Sequence, residues 1–181
     1  MAKDWIKKAA VTILDFEALA TLTPRIWFFE GLDKTGKTTL CRACRFSSGH
    51  AAPMYDRGFL SREVFYESQK EKNPKLIANW RKLEEKLRPV YGIVYLYGSD
   101  EVIQKRHRDA GERVPSKKQL AKQSELFRKN LLRCTQQGIP IIYVWPEEYK
   151  DLAQVVKITL SAMQLPYIGH LDQGDFKCQK K

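Results

Sequence analysis

The 181-residue sequence has no uninterrupted apolar run of about 18 residues, the length that a membrane-spanning helix requires. Its first residues also lack the basic stretch and apolar block of a secretory signal. Its four cysteines are too few and too irregularly spaced for the disulfide framework of a small secreted domain: Cys41, Cys44, Cys134 and Cys178. We therefore expect an intracellular, cytoplasmic protein that does not enter a membrane.

The composition is that of one folded domain with an unusual charge. Hydrophobic residues make up 43% and charged residues 29%, which is ordinary for a globular protein of this length. The net charge is +11, from 32 Lys and Arg against 21 Asp and Glu. Between Glu101 and Arg133, ten basic residues face four acidic ones, so about half of the excess lies in this segment. An anionic partner such as nucleic acid and a solvated helix face both explain it.

Short apolar runs alternate with segments of helical periodicity along the chain. Strands are predicted at 25–30, 52–55, 92–97 and 139–145. Helices are predicted from Thr38 to about Phe46, around 60–65, at 76–87, from Ser99 or Asp100 onward, at 120–134 and at 152–163. The alternation predicts a three-layer α/β fold with a small, mostly parallel sheet flanked by helices. We expect an appended N-terminal segment at 1–24, one domain at 25–165 and a basic C-terminal tail at 166–181.

Two spacings carry predictions about the core. A 4, 3, 4 spacing of large apolar residues predicts a core-facing stripe on one helix: Leu76, Trp80, Leu83 and Leu87. Cys41 and Cys44 have the spacing of half a zinc site, but no second pair follows them. We therefore expect their thiols to be buried in the core.

A phosphate-binding motif follows the first predicted strand and opens the first predicted helix. Residues Gly31 to Thr38 fit G-x-x-x-x-G-K-[ST] at every fixed position. Such a loop surrounds phosphates with backbone N–H groups at the positive end of a helix dipole. We expect Lys37 to bind the β- and γ-phosphates of ATP and the Thr38 hydroxyl to bind Mg²⁺. The predicted nucleotide-binding residues are Gly31, Leu32, Asp33, Lys34, Thr35, Gly36, Lys37, Thr38 and Thr39.

The P-loop alone does not choose among kinases, GTPases and motor ATPases. The sequence has no Asn-Lys-x-Asp motif for reading guanine. Neither apolar strand after the loop ends in the Asp-Glu pair of helicase-like ATPases. A small phosphotransferase with the fold of P-loop NTPases remains.

Three stretches resemble the thymidylate kinase group of nucleotide and deoxynucleoside kinases. The first is Phe29 to Thr39, with a Glu-Gly start and an Asp followed by a basic residue inside the loop. The second is Asp56 to Ser61, an Asp-Arg motif with a Ser five residues after its Asp. The third runs from Arg88 through an apolar strand to Arg113, and is similar to the family's arginine-bearing lid. The resemblance covers about residues 25–145.

The resemblance and the chemistry of phosphoryl transfer together imply roles for particular side chains. Lys34 is expected to reach the transferring group, and the lid cations are expected to be Arg106, Arg108 and Arg113. Asp56 is expected to help bind Mg²⁺, to accept a proton or to orient the acceptor, and Arg57 to clamp an acceptor phosphate. A strand-ending turn is the alternative for the Asp-Arg-Gly motif. Asp33 either touches the acceptor sugar or stabilises the loop.

The sequence departs from the family at the acceptor side. Asp56 follows Lys37 by only 19 residues, where the family inserts another strand and helix, so this chain resembles a shortened member. Small P-loop kinases such as polynucleotide and adenylylsulfate kinases also place an Asp at the end of the strand after the P-loop helix. Asp56 fits either comparison.

Three functions follow from these features. The first is an ATP- and Mg²⁺-dependent kinase of a nucleoside or nucleoside monophosphate in nucleotide biosynthesis, with thymidylate as the first acceptor. The second is a polynucleotide kinase that phosphorylates a hydroxyl on DNA or RNA, at an end or on a modified base. The third is a degenerate nucleotide-binding module. The oligomeric state is left open, a homodimer being one option.

Overall fold

The computed structural model describes residues 26–68, 74–149 and 151–168. In this part of the chain the strands are β1 (Ile26–Gly31), β2 (Met54–Asp56), β3 (Tyr91–Leu96) and β4 (Ile141–Val144). The helices are α1 (Lys37–Ser47), α2 (Phe59–Ser68), α3 (Pro74–Leu87), α4 (Asp100–Asp109), α5 (Lys117–Gln136) and α6 (Leu152–Ala162). Short 3₁₀ turns occupy Arg88–Val90 and Pro146–Glu148. The predicted alternation of strands and helices is present, with the ends moved by a few residues.

The strands form one parallel sheet in the order β2-β1-β3-β4. Successive side chains of a strand point to opposite faces, and β1 separates two cores in this way. Trp27 and Phe29 pack with α1 and α6 on one face, and Phe28 packs with α2 and α5 on the other. The three-layer α/β fold with a small parallel sheet is therefore confirmed.

The P-loop strand β1 pairs directly with the strand that carries Asp56. Phe29 lies opposite Asp56, and no strand pairs with the far edge of β2 within the described residues. The strand and helix that the sequence lacks between Lys37 and Asp56 are thus absent between these two strands. Because parallel strands end at the same sheet edge, the P-loop and Asp56 lie side by side.

Helix α3 buries part of the stripe that its leucines predicted, together with neighbouring residues. Leu83 is 48% exposed, whereas Ile77 and Glu84 are buried. Glu84 is turned inward because its carboxylate accepts hydrogen bonds from the Tyr91 hydroxyl and from Arg133, both at 2.8 Å. Leu76, Trp80 and Leu87 of the predicted stripe are half-buried and Leu87 packs against the core, so the prediction was wrong only for Leu83.

A buried network of ion pairs joins α2, α3 and α5, the helices on the Phe28 side of the sheet. Arg133 of α5 donates to Glu84 of α3 and, at 3.0 Å, to Glu63 of α2. Arg81 of α3 donates to Glu63 as well. Both carboxylates are almost completely buried, so these bonds offset the cost of removing them from water.

The cysteines within the described residues are core side chains. Cys41, Cys44 and Cys134 are buried as free thiols, as the sequence predicted for the first two. Burial raises the pKa of the Cys41 thiol to about 11, which keeps it protonated at neutral pH.

The structure follows the chain to Ile168. Tyr167 packs against the core on the α1 and α6 side, and the Ile168 N–H donates to the Ser47 carbonyl at 2.8 Å. These contacts place 166–168, the first residues of the predicted tail, on the domain. The predicted N-terminal segment at 1–24, Arg25 and residues 169–181 lie outside the described residues. Among the described helices, none has the length and apolar character to cross a membrane.

Candidate functional site

The loop between β1 and α1 has the backbone of a phosphate cradle. Gly31 has a φ of +137°, and a Cβ there would lie 2.4 Å from the Leu96 carbonyl oxygen, so only glycine fits. Gly36 has a φ of +96° and precedes α1, which has no side-chain cap at its N-terminus. The Thr35 hydroxyl donates to the Leu32 carbonyl at 2.9 Å and closes the loop on itself.

Lys37 is held inside this loop. Its side chain is only 4% exposed, and Nζ donates to the Leu32 carbonyl oxygen at 2.5 Å. Burial lowers the pKa of the Lys37 ammonium, while the nearby Asp33 carboxylate raises it. The ammonium is thus a partly desolvated cation that a phosphate group would stabilise.

Thr38 and Asp56 bring two oxygen ligands together at the N-terminus of α1. The Thr38 hydroxyl donates to Asp56 Oδ2 at 2.5 Å. Hydroxyl and carboxylate oxygens are ligands that Mg²⁺ prefers. The pair therefore fits the metal site that the sequence predicted.

Asp33 and Arg57 form an exposed ion pair beside the loop. Arg57 Nη2 lies 2.8 Å from Asp33 Oδ1, and more than half of each side chain is exposed. Arg57 has a φ of +68°, which bends the chain after β2 and turns its side chain to the P-loop.

Only part of the predicted lid contacts the loop. Arg106 Nη1 donates to the Lys34 carbonyl at 2.7 Å, and Lys34 Nζ donates to Glu112 Oε1 at 2.5 Å. The Lys34 hydrogen bond lowers the pKa of the Glu112 carboxyl. The predicted lid residues Arg108 and Arg113 are exposed and border neither of the cavities described below. The sequence did not reveal Glu112, because its partner is 78 residues away.

A cavity of about 750 Å³, here called the loop cavity, lies over the P-loop. Asp33 to Thr39 line it, which includes seven of the nine predicted nucleotide-binding residues. The rest of its wall is Leu40, next in the same helix, and residues from distant parts of the chain: Arg57, Arg106, Glu112, Pro146, Tyr149, Asp151, Leu152 and Val155. No sequence motif marks the residues after Glu112.

A second cavity of about 310 Å³, here called the helix cavity, lies between α2 and α5. Its walls combine the P-loop, the turn after β2 and two helix faces: Gly31, Leu32, Asp33, Asp56, Arg57, Ser61, Arg62, Val64, Phe65, Tyr66, Gln123 and Phe127. The sequence did not single out Gln123, because helical periodicity alone does not reveal which polar residue borders a cavity. Asp33 and Arg57 border both cavities, so their ion pair marks the boundary between them.

Structural comparison supports the fold. No protein-family model and no curated sequence matches the chain. The YorR protein of Bacillus subtilis, solved in complex with phosphorylated GDP, is 17% identical with a TM-score of 0.58, over 77% of this chain and 95% of that one. A gluconokinase of Sinorhizobium meliloti is 18% identical with a TM-score of 0.42, over 79% of this chain and 93% of its own. The chain has the α/β fold of P-loop nucleotide-binding proteins.

Proposed function

We propose that this protein is an ATP- and Mg²⁺-dependent phosphotransferase that moves the γ-phosphoryl group to a nucleoside or a nucleoside monophosphate, in the manner of thymidylate kinases. One observation carries the proposal: the loop cavity and the helix cavity meet at the Asp33–Arg57 ion pair. A phosphoryl group held by the P-loop would therefore face an acceptor bound between α2 and α5.

The loop cavity supports the binding of a nucleoside triphosphate. The first N–H groups of α1 have no side-chain cap and are available to phosphate oxygens. Lys37 would exchange its bond to the Leu32 carbonyl for the β- and γ-phosphates. Tyr149 and Leu152 border the cavity farther along the chain and would flank the nucleoside.

Thr38 and Asp56 would hold Mg²⁺. The ion supplies positive charge to the β- and γ-phosphate oxygens.

In the transfer, an acceptor oxygen forms a bond to the γ-phosphorus while the bond to the β,γ-bridging oxygen breaks. ADP leaves with that electron pair. Lys37 and Arg57 stabilise the negative charge on the transferring group. A monophosphate attacks as an oxyanion and needs no base, whereas a hydroxyl would give its proton to Asp33, because Asp56 would hold Mg²⁺.

The walls of the helix cavity support a planar acceptor. Phe65 is 51% exposed and stands beside Tyr66, which offers aromatic faces to a base. Gln123 has an amide that both donates and accepts hydrogen bonds, and Arg62 adds a cation. The volume of about 310 Å³ is at the lower end of small-molecule sites.

A hydroxyl on DNA or RNA, at an end or on a modified base, is the second candidate acceptor. Lys118, Lys122 and Lys129 are exposed on α5, the helix whose Gln123 and Phe127 line the helix cavity, and Lys122 Nζ donates to the Ser68 carbonyl at the end of α2 at 3.0 Å. Together with the net charge of +11, these exposed cations suit the phosphate backbone of a nucleic acid bound beside the helix cavity.

The test is transfer of labelled γ-phosphate, with Mg²⁺, to nucleosides, thymidylate, other nucleotides and single- and double-stranded oligonucleotides at two salt concentrations. GTP is included as a donor because YorR was solved with phosphorylated GDP. Label on thymidylate or another small acceptor supports the proposal. Label only on oligonucleotides, fading with salt, supports the second candidate. Nucleotide binding with no labelled product contradicts both and leaves the degenerate binding module.

A further inference from the structure

Glu30, the residue before the P-loop glycine, has a completely buried carboxylate. The residue is 1% exposed at the end of β1. Oε1 accepts the Gly58 N–H at 2.9 Å and the Leu60 N–H at 3.1 Å. Oε2 accepts the Ser61 N–H at 2.9 Å and also the Ser61 hydroxyl. No ion pair joins Glu30 to a cation in the part of the chain that the structure describes.

A buried carboxylate of this kind needs a structural reason, because removing it from water costs several kcal/mol unless hydrogen bonds replace the water. Burial raises the pKa of Glu30, and its bonds to Ser61, Gly58 and Leu60 oppose that rise. The bonds satisfy N–H groups at the start of α2, which have no carbonyl partner within the helix. Glu30 therefore caps α2 from another element of the fold.

The capped segment includes the turn that carries Asp56 and Arg57. The Arg57 N–H donates to the Phe29 carbonyl at 3.0 Å, next to Glu30 in β1. A Cβ on Gly58 would lie 2.8 Å from Glu30 Oε1, so the carboxylate and the turn are in close contact. The turn is thus fixed to β1 on both sides of Arg57.

We propose that Glu30 is the positioning residue of the acceptor side, fixing the Asp56–Gly58 turn and the first turn of α2 against the P-loop. The role rests on the proposed function, since it concerns acceptor binding. Through the turn, Glu30 sets the place of Arg57 between the two cavities, and through α2 it sets the place of Arg62 and Phe65. Glu30 borders neither cavity, and its hydrogen bonds go to Gly58 of the turn and to Leu60 and Ser61 of α2, so it does not act as a base on the acceptor.

The test compares Glu30→Gln with Ser61→Ala and with a matched control, Glu84→Gln. In Glu30→Gln one carboxylate oxygen becomes an NH₂ group, which cannot accept hydrogen bonds from the N–H groups of Gly58, Leu60 and Ser61. We expect the acceptor KM to rise about tenfold or more, while the Kd for ATP changes less than about twofold. Ser61→Ala removes one donor and moves the KM in the same direction by a smaller factor. Glu84→Gln replaces a buried carboxylate outside both cavities and lowers stability without an acceptor-specific change.

Hydrogen exchange of the backbone amides provides a second readout that does not depend on activity. Glu30→Gln is expected to speed exchange at Gly58, Leu60 and Ser61 and to leave exchange in α1 unchanged. Exchange unchanged at these three amides, or a rise in acceptor KM matched by an equal rise in ATP Kd, overturns the role. A fall in kcat at constant KM overturns it too, because that result indicates a base.

If the wild type phosphorylates no acceptor, the proposed function fails and the exchange data alone decide whether Glu30 holds the turn. If Glu30→Gln does not fold, the exchange of the Gly58 and Leu60 amides in Ser61→Ala decides the role, because Ser61 itself lines the helix cavity and a change in KM alone would not decide it.

Discussion

Lys37 is the residue on which the chemistry depends most directly. It is buried, it already donates to a carbonyl in the loop, and its charge is only partly compensated. Replacing Lys37 with Met keeps the length of the side chain and removes the charge. We expect kcat to fall by about 100-fold to 1000-fold, the loss typical of one stabilising donor at a reaction centre. Steady-state kinetics measure it, with the more exposed Lys34→Met as a control of smaller effect.

The lowered pKa of Lys37 makes a prediction about pH. A lysine with a lowered pKa loses its charge at a lower pH than its ordinary 10.5, so ATP affinity should fall as pH rises towards that value. In this window the unfolded state binds more protons than the folded state, so the contribution of Lys37 to folding stability increases with pH. Measuring the Kd for ATP against pH separates the loss of ATP affinity from the gain in folding stability. A Kd that stays flat up to the ordinary lysine pKa contradicts the prediction.

The position of Asp56 beside Thr38 predicts how strongly activity depends on Mg²⁺. Asp56→Asn keeps the shape of the side chain and removes the charge that would pair with Mg²⁺ beside Thr38. The Mg²⁺ concentration for half-maximal activity should increase about tenfold, since one charged ligand is lost. Titrating activity with Mg²⁺ measures this change. Asp109→Asn, at an exposed position on α4 that borders neither cavity, should leave the midpoint where it is.

At the scale of single residues, the sequence predicts what is local and misses what is distant. Gly31 to Thr38 is one continuous motif, so its place over the loop cavity could be predicted. Glu112 lies in the stretch that resembles a lid, but its contact with Lys34 could not be predicted, and no motif marks Gln123. Arg108 and Arg113 belong to a cluster of arginines, but only Arg106 of that cluster faces the loop.

Among the secondary-structure elements, α2, α3 and α5 depend on a charged core that hydrophobic periodicity does not reveal. Glu63 and Glu84 are buried and both accept hydrogen bonds from Arg133. The leucine spacing of α3 correctly predicted a helix and the half-buried Leu76, Trp80 and Leu87, but it did not reveal Glu84, whose burial depends on its hydrogen bonds. The order of strands and helices was predictable, since each has its own local period.

The same network predicts a large effect on stability from one substitution. Arg133→Met leaves two buried carboxylates without their shared cation, so the free energy of unfolding should fall by about 3 kcal/mol. Urea denaturation measures the change. Arg128→Met on the same helix removes an exposed ion pair with Glu125 and should change the stability less. Equal effects of the two substitutions would show that the network adds nothing beyond a surface pair.

For the whole molecule, the shortened connection between α1 and β2 leaves the P-loop strand next to the strand that ends at Asp56. The loop cavity and the helix cavity therefore share one short boundary, the Asp33–Arg57 pair. This arrangement depends on strand order and helix packing, which the sequence predicted only as a fold class. It is the reason that the proposed function is transfer between two bound molecules and not hydrolysis alone.

The most direct measurement of that central claim is the ratio of ADP formed to phosphorylated acceptor formed, with wild-type protein, ATP, Mg²⁺ and thymidylate, repeated with the other acceptors. The account predicts one phosphorylated acceptor for each ADP, and loss of both products in Lys37→Met. ADP formed without any phosphorylated acceptor, or at the same rate whether or not an acceptor is present, would contradict it.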